Sequence, residues 1–177
     1  KGVAGTFFSA LGFGGINIHA IAQGSSERSI STVVSGQDGD KAVKIAHRFF
    51  FNTAQPIEVF LFGVGLVGSK LLDQIKKQQA ELKKTGTDLR VCGISNSKTM
   101  ILSRDGLNLE NWKSDLLGSK IKSSSEEVMN FVKAEKPLNP ICVDCTAVGT
   151  LPEKYPAFFE SGMHVVTPNK RANSLSM

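Results

Sequence analysis

The segment Gly63-Val64-Gly65-Leu66-Val67-Gly68 constrains the fold of this chain more than any other, because its glycines stand between a strand-like run and a helix-like one. Upstream, Ile57-Glu58-Val59-Phe60-Leu61-Phe62 is short, mostly apolar and preceded by Pro56, which suits a buried strand of a parallel sheet. Downstream, Val67, Leu71, Ile75 and Leu82 recur at roughly helical spacing, with lysines and glutamines filling the polar side. In that setting each glycine has its own physical role. Gly63 permits a tight turn, Gly65 lets the backbone approach a pyrophosphate, and Gly68 lets helix and strand pack closely. The helix start offers unpaired N–H groups and a partial positive charge, worth about 0.3–1 kcal/mol to an exposed anion. The whole segment, Val64, Leu66 and Val67 included, is therefore a candidate dinucleotide site.

A dinucleotide site of this kind ordinarily carries an acidic residue at the end of the second strand, where it holds the ribose hydroxyls of NAD. The second strand predicted here, Leu89-Arg90-Val91-Cys92-Gly93-Ile94, runs instead into Ser95-Asn96-Ser97-Lys98. An amide at Asn96 and a cation at Lys98 are able to receive a 2′-phosphate, so the expected cofactor is NADP or NAD, with NADP at least tolerated. A solvated loop lysine accounts for Lys98 equally well.

Length and composition fix the class. The chain has 177 residues, 41% of them hydrophobic, enough for one ordinary domain or two small ones with packed cores. No stretch approaches the roughly 18 apolar residues that span a bilayer, and no signal-peptide pattern opens the chain, so no membrane partner is expected. The net charge of +5 arises from 21 basic and 16 acidic residues, with the lysines dispersed over helices and no basic stripe among aromatics, so nucleic-acid binding is not indicated. Cys92, Cys142 and Cys145 sit in or beside predicted strands, as small buried thiols do, and point to a reducing compartment. Cys142-Val143-Asp144-Cys145 spaces two thiols along an extended run without a second pair, so no metal site is expected. His19, His47 and His164 have no nucleophile placed to pair with them. Lys1 opens directly into patterned sequence, and Ser176-Met177 arrives without a closing element, which reads as a piece of a longer protein.

Residues 1–52 differ in character from the rest of the chain. Thr6 to Leu11 look helical, Ile16 to Ala22 and Ser29 to Val34 read as strands around a polar turn at Gln23–Arg28, and a helix over Asp40 to Phe50 would place Ala42, Val43, Ala46 and Phe49 or Phe50 on one face. This is most of a small α+β module without its opening strand. Residues 53–56, within Asn52-Thr53-Ala54-Gln55-Pro56, form the candidate linker to a second part over 57–177. The segment from Asn17 to Ile30 resembles the second ACT repeat of the bifunctional aspartokinase/homoserine dehydrogenases. That resemblance implies that Asn17 and Gln23 help hold an amino-acid effector, threonine in feedback-inhibited forms, and that the protein is a homo-oligomer paired through its ACT domains. Read from their own chemistry, both amides equally well satisfy turn backbone.

The second part alternates: a helix near Ser125–Glu135, a strand at Pro140–Cys145, a helix near Glu153–Ser161 and a strand at His164–Thr167. Strands separated by helices predict an α/β fold, a Rossmann-like doubly wound parallel sheet with its ligand beyond the carboxyl ends of the strands. Two of those ends, Val143-Asp144-Cys145-Thr146-Ala147 and Val165 to Asn173, together with the glycine segment and Gly106 to Trp112, resemble the nucleotide-binding half of homoserine dehydrogenase in the form fused behind aspartokinase. The resemblance implies NAD(P)-linked interconversion of L-homoserine and L-aspartate 4-semialdehyde, with aspartate kinase activity in a preceding part and the substrate-gripping residues beyond Met177. It implies a location in the cytoplasm, or the plastid in a plant. It places Lys170 in the active site and against the cofactor, where an ammonium lowers the barrier to hydride transfer by meeting charge on the carbonyl oxygen. Thr146 is a candidate nicotinamide contact, with a helix cap as the alternative, and Asp144 is able to orient a loop by hydrogen bonding. A non-catalytic ACT and Rossmann sensor of amino acid and nucleotide is the alternative function.

Overall fold

Alternation of side chains along one strand organises the larger part of the protein. The computed structural model describes residues 2–24, 29–51 and 54–174, and the chain divides into two units, Lys1–Thr53 and Ala54–Met177. In the second unit, β3 (Gln55–Phe62) directs Val59 and Leu61 to one face and Phe60 and Phe62 to the other. The aliphatic face is covered by Leu72 and Ile75 of α3 (Leu66–Lys84) and by Trp112 and Leu116 of α4 (Trp112–Gly118). The aromatic face is covered by Val128 and Val132 of α5 (Ser125–Glu135) and Phe158 of α6 (Tyr155–Glu160), with the Phe62 and Phe158 rings 5.8 Å apart. A strand apolar on both faces must be covered on both, which yields the three-layer arrangement.

Three further strands, β4 (Thr87–Ser95), β6 (Pro140–Asp144) and β7 (His164–Val166), run parallel to β3, and β5 (Met100–Leu102) lies antiparallel at one edge, giving the order β5-β4-β3-β6-β7. The doubly wound parallel sheet expected of the sequence is present, with the antiparallel edge strand β5 as an unforeseen addition. That edge follows from non-local bonding: Met100 N–H donates to Ile121 O at 3.0 Å, and β5 pairs back on the carboxyl end of β4. Pairing of β3 with β4 shifts register at Cys92, so that Phe60 lies opposite Gly93, where a Cβ would stand 2.7 Å from the Phe60 ring.

Two expectations shift by a residue. The buried face of α3 carries Gly68, Leu72 and Ile75, whereas Val67 is 53% exposed and Leu71 half-buried, because the face next to the strand ends looks onto a cleft. Gln55 and Pro56, expected in the linker, open β3; Pro is tolerated at the start of a strand. Asn52 and Thr53 lie outside the described residues.

The first unit consists of α1 (Val3–Phe13), β1 (Ile18–Gln23), β2 (Ile30–Val34) and α2 (Gly39–Phe51), with β1 and β2 antiparallel. Ile16, predicted in the first strand, instead donates its N–H to Leu11 O at 2.9 Å and joins Ala10, Leu11 and Ile45 in a small core. Ile45 is the fully buried residue of α2, while Val43, expected inward, is 71% exposed. The turn residues Ser25–Arg28 lie outside the described residues. Among the described residues no helix is long and apolar enough to cross a membrane.

Candidate functional site

The carboxyl ends of the three central strands are tied together around the glycine segment. Gly63 N–H donates to Ser95 O at the end of β4, and Cys145 N–H just past β6 donates to Phe62 O, each at 2.8 Å. Gly63 has φ +91°, and a Cβ there would meet the Cys145–Thr146 peptide at 2.9 Å, so only glycine fits both the turn and the close approach. Gly68 packs against the same turn from the helix side. Gly65 is the residue before α3, no side chain caps that end, and a Cβ at Gly65 would meet nothing within 4 Å. Space is therefore open in front of the first N–H groups of α3, which have no partner within the helix. This geometry fits a pyrophosphate. Ser69, the residue after Gly68, bonds back to Gly65 O at 2.7 Å and leaves that space clear.

Leu66 and Val67 extend outward, 84% and 53% exposed, and with Lys70, Val143, Cys145 and Pro168 they line a cleft of about 390 Å³. Its apolar walls suit a flat ring. Val64, half-buried, packs against the aliphatic core.

At the end of β4, Asn96 accepts N–H bonds from Lys98 and Thr99 on its Oδ1, both at 2.7 Å, which folds the turn and leaves Lys98 exposed at its corner. A second segment supports this turn: Ser123 N–H donates to Lys98 O at 3.0 Å, and the Ser95 and Ser123 hydroxyls lie 2.6 Å apart. The part of Asn96 is thus to shape the loop with its carbonyl oxygen. Ser123 has no signal in the sequence because its contacts lie far along the chain.

Beyond β6 and β7 stands a second cluster. Asp144 is fully buried and accepts from Thr146 N–H at 2.7 Å, Tyr155 O–H at 2.7 Å and Asn169 Nδ2 at 3.2 Å. Burial, then the neighbouring Asp144, raises the Tyr155 phenol above its ordinary value, and the same two causes raise the Cys145 thiol. Thr146 caps no helix; its hydroxyl accepts from Asn169 Nδ2 at 3.4 Å. Lys170 opens a short helical turn, Lys170–Asn173, with its side chain exposed. Its neighbour Asn169 is 6% exposed and ties that turn to the end of β6. Neither Asn169 nor Tyr155 stands out in the sequence, where a Pro-Asn pair reads as an ordinary turn. Among the described residues no cluster of three or more His, Cys, Asp or Glu side chains is placed to hold a metal ion.

In the first unit Asn17 and Gln23 are both exposed, one before β1 and the other at its end. Six residues of extended chain separate them by up to about 20 Å. The structure does not bring them together, so one amino acid would not reach both within one copy.

Comparison with known proteins agrees with this division. Residues 1–50 match the ACT domain model, and residues 63–177 match the model described as homoserine dehydrogenase, NAD binding domain. The chain is 46% identical to the bifunctional aspartokinase/homoserine dehydrogenase of Haemophilus influenzae over 98% of its length, and spans 21% of that relative. Among solved structures, homoserine dehydrogenase from Thermoplasma acidophilum is similar at a TM-score of 0.52 and 28% identity, covering 67% of this chain and 36% of that one. A hyperthermophilic archaeal homoserine dehydrogenase in complex with NADPH has the same fold at a TM-score of 0.52 and 24% identity, over 67% of this chain and 37% of that one.

Proposed function

The chain belongs to the homoserine dehydrogenase NAD-binding domain family, and from that membership we propose that it is the sensor and cofactor portion of a bifunctional aspartokinase/homoserine dehydrogenase. The whole protein would interconvert L-homoserine and L-aspartate 4-semialdehyde with NADP or NAD, under amino-acid feedback. The observation that carries this reading is the clear space before α3, bounded by Gly63, Gly65 and Gly68 and open where a dinucleotide pyrophosphate would lie.

A bound nicotinamide supplies the hydride that goes to the aldehyde carbon while the carbonyl oxygen takes a proton. The residues of this chain would hold that cofactor. The N–H groups of Leu66, Val67 and Gly68 would meet the pyrophosphate. Asn96 and Lys98 would receive the ribose end, Asn96 by the turn it folds and Lys98 as a point charge for a 2′-phosphate. The cleft beside Val67, Cys145 and Pro168 excludes water from one side of the ring. Thr146, the residue after Cys145 of that cleft, would contact the nicotinamide, and the Lys170 ammonium would meet the charge that develops on the carbonyl oxygen. Residues 1–52 act as the regulatory module, the nucleotide-binding part begins with β3 at Gln55, and copies pair through the ACT module. Because Asn17 and Gln23 stand at opposite ends of β1, threonine is held between copies or repeats, with one amide from each side.

The test titrates the chain with NADPH by nucleotide fluorescence, beside a Gly65→Val variant. Saturable binding that the variant lacks supports the cofactor site; equal binding by both removes it. In the full-length enzyme, Lys170→Ala is expected to lower homoserine-dependent reduction of NADP by about 10²-fold or more.

A further inference from the structure

We propose that Asp144 is a positioning residue for Lys170, acting through Asn169 and Thr167 and itself held by Tyr155; the proposal rests on the reading of Lys170 as the ammonium that faces the substrate carbonyl. Asp144 ends β6 with no exposure to solvent. A carboxylate there is tolerated only if its oxygens are satisfied, and the groups that satisfy it come from every segment around the site: Thr146 N–H from the loop after β6, the Tyr155 hydroxyl from the start of α6, and the Asn169 amide from the loop after β7. The main-chain oxygen of Asp144 also accepts from Thr167 Oγ1 at 3.0 Å.

The bonds then run outward to both sides of Lys170. Asn169 N–H donates to Thr167 Oγ1 at 2.9 Å, the Asn169 side chain donates to Val148 O at 2.8 Å, and Arg171 N–H donates to Asn169 Oδ1 at 3.1 Å. The residue before Lys170 and the residue after it are thus both pinned, while the Lys170 side chain itself is exposed. A lysine carries its charge on a flexible four-carbon stem, so the point from which the stem departs decides where the ammonium dwells. A displacement of about 1 Å in such a group costs as much as 10²-fold in rate. The same carboxylate holds Thr146, so one buried group fixes the two strand-end loops in a single frame.

Asp144→Asn risks the fold of all three segments, so the test uses Tyr155→Phe and Thr167→Val, which keep side-chain shape; the first removes the Tyr155 bond to Asp144, and the second removes both bonds of Thr167 Oγ1, the one it donates to Asp144 O and the one it accepts from Asn169 N–H. Both are made in the full-length enzyme, with and without Lys170→Ala, and turnover is read beside the NADPH dissociation constant and the unfolding midpoint. Each single variant is expected to lower kcat about tenfold while nucleotide affinity stays near its starting value; the unfolding midpoint falls modestly, because each change leaves buried polar groups with fewer partners. In the Lys170→Ala background the same changes are expected to lower kcat no further. A loss of equal size in both backgrounds, or unchanged kcat in both single variants, overturns the positioning role and leaves the Lys170 assignment intact. Full turnover by Lys170→Ala itself overturns both.

Discussion

Gly68 faces Gly63 so closely across the nucleotide loop that a methyl group built on its Cα would stand 1.9 Å from the Gly63 carbonyl oxygen. The neighbour is backbone, held in turn by the bond from Gly63 N–H to Ser95 O, so it has no rotamer by which to retreat. Gly68→Ala is expected to destabilise the second unit at or above the upper end of the about 1–3 kcal/mol typical of overpacking, seen as a lowered urea midpoint. Gly65→Ala is the opposite case: with φ −68° and open space at its Cβ, stability should hold within about 0.5 kcal/mol. NADPH affinity should nevertheless fall about tenfold, because the added methyl occupies the approach to the helix start. Equal destabilisation by the two substitutions would count against the packing account.

Lys98 is where the proposed site should tell the two cofactors apart. A charge at the corner of the Asn96 turn would favour a 2′-phosphate and would have nothing comparable to meet on NAD. Lys98→Ala is expected to weaken NADPH binding about tenfold, in the range of one charge-assisted contact, and to leave NADH binding within about twofold. Parallel losses for both nucleotides would make Lys98 a solvated lysine.

The glycine segment is legible in the sequence because its requirements are local: a turn, a close approach and a helix start within six residues. So is the alternation of β3, whose two faces are each read from neighbours in sequence. Less legible are β5, three residues long and paired antiparallel with the end of β4, and α4, whose Trp112 and Leu116 complete only one turn of apolar spacing. The face of α3 departs from its apolar spacing at Val67, which lines a cleft, and at Leu71, which lines the same cleft while packing against the edge of the core. Asn169 is silent for a different reason: its principal partner, Asp144, lies 25 residues earlier and meets it only when β6 and β7 pair.

Gln23 and Asn17 stand at opposite ends of β1, so each would supply one side of the proposed effector site. In the full-length enzyme, Gln23→Ala is expected to raise the threonine concentration for half-inhibition by about 5–150-fold, the range of a typical coupling, without changing uninhibited turnover. An unchanged threonine response would remove Gln23 from the effector site.

Glu126, in the first turn of α5, receives its own backbone N–H, the Ser124 and Ser125 hydroxyls and the Lys154 ammonium, and its pKa is lowered from 4.5 to about 2. A folded-state pKa below the unfolded one contributes stability above the unfolded value, and that contribution is lost as pH falls toward the folded one. The urea midpoint should therefore drop between pH 4.5 and about 2, and Glu126→Gln should flatten that part of the profile. The group lies at the surface, so added salt should shrink the effect. A profile identical in the variant would assign the acid sensitivity elsewhere.

The unlike cores on the two sides of β3 have a bearing on how the nucleotide loop comes to exist. A slip of one residue would drive Phe60 and Phe62 into space filled by Val59 and Leu61, and the reverse. The strand is thereby keyed to a single setting, and Gly63 begins where the key ends. The loop inherits its place from the sheet, so the backbone that a dinucleotide would approach is set by packing on the far side of the strand.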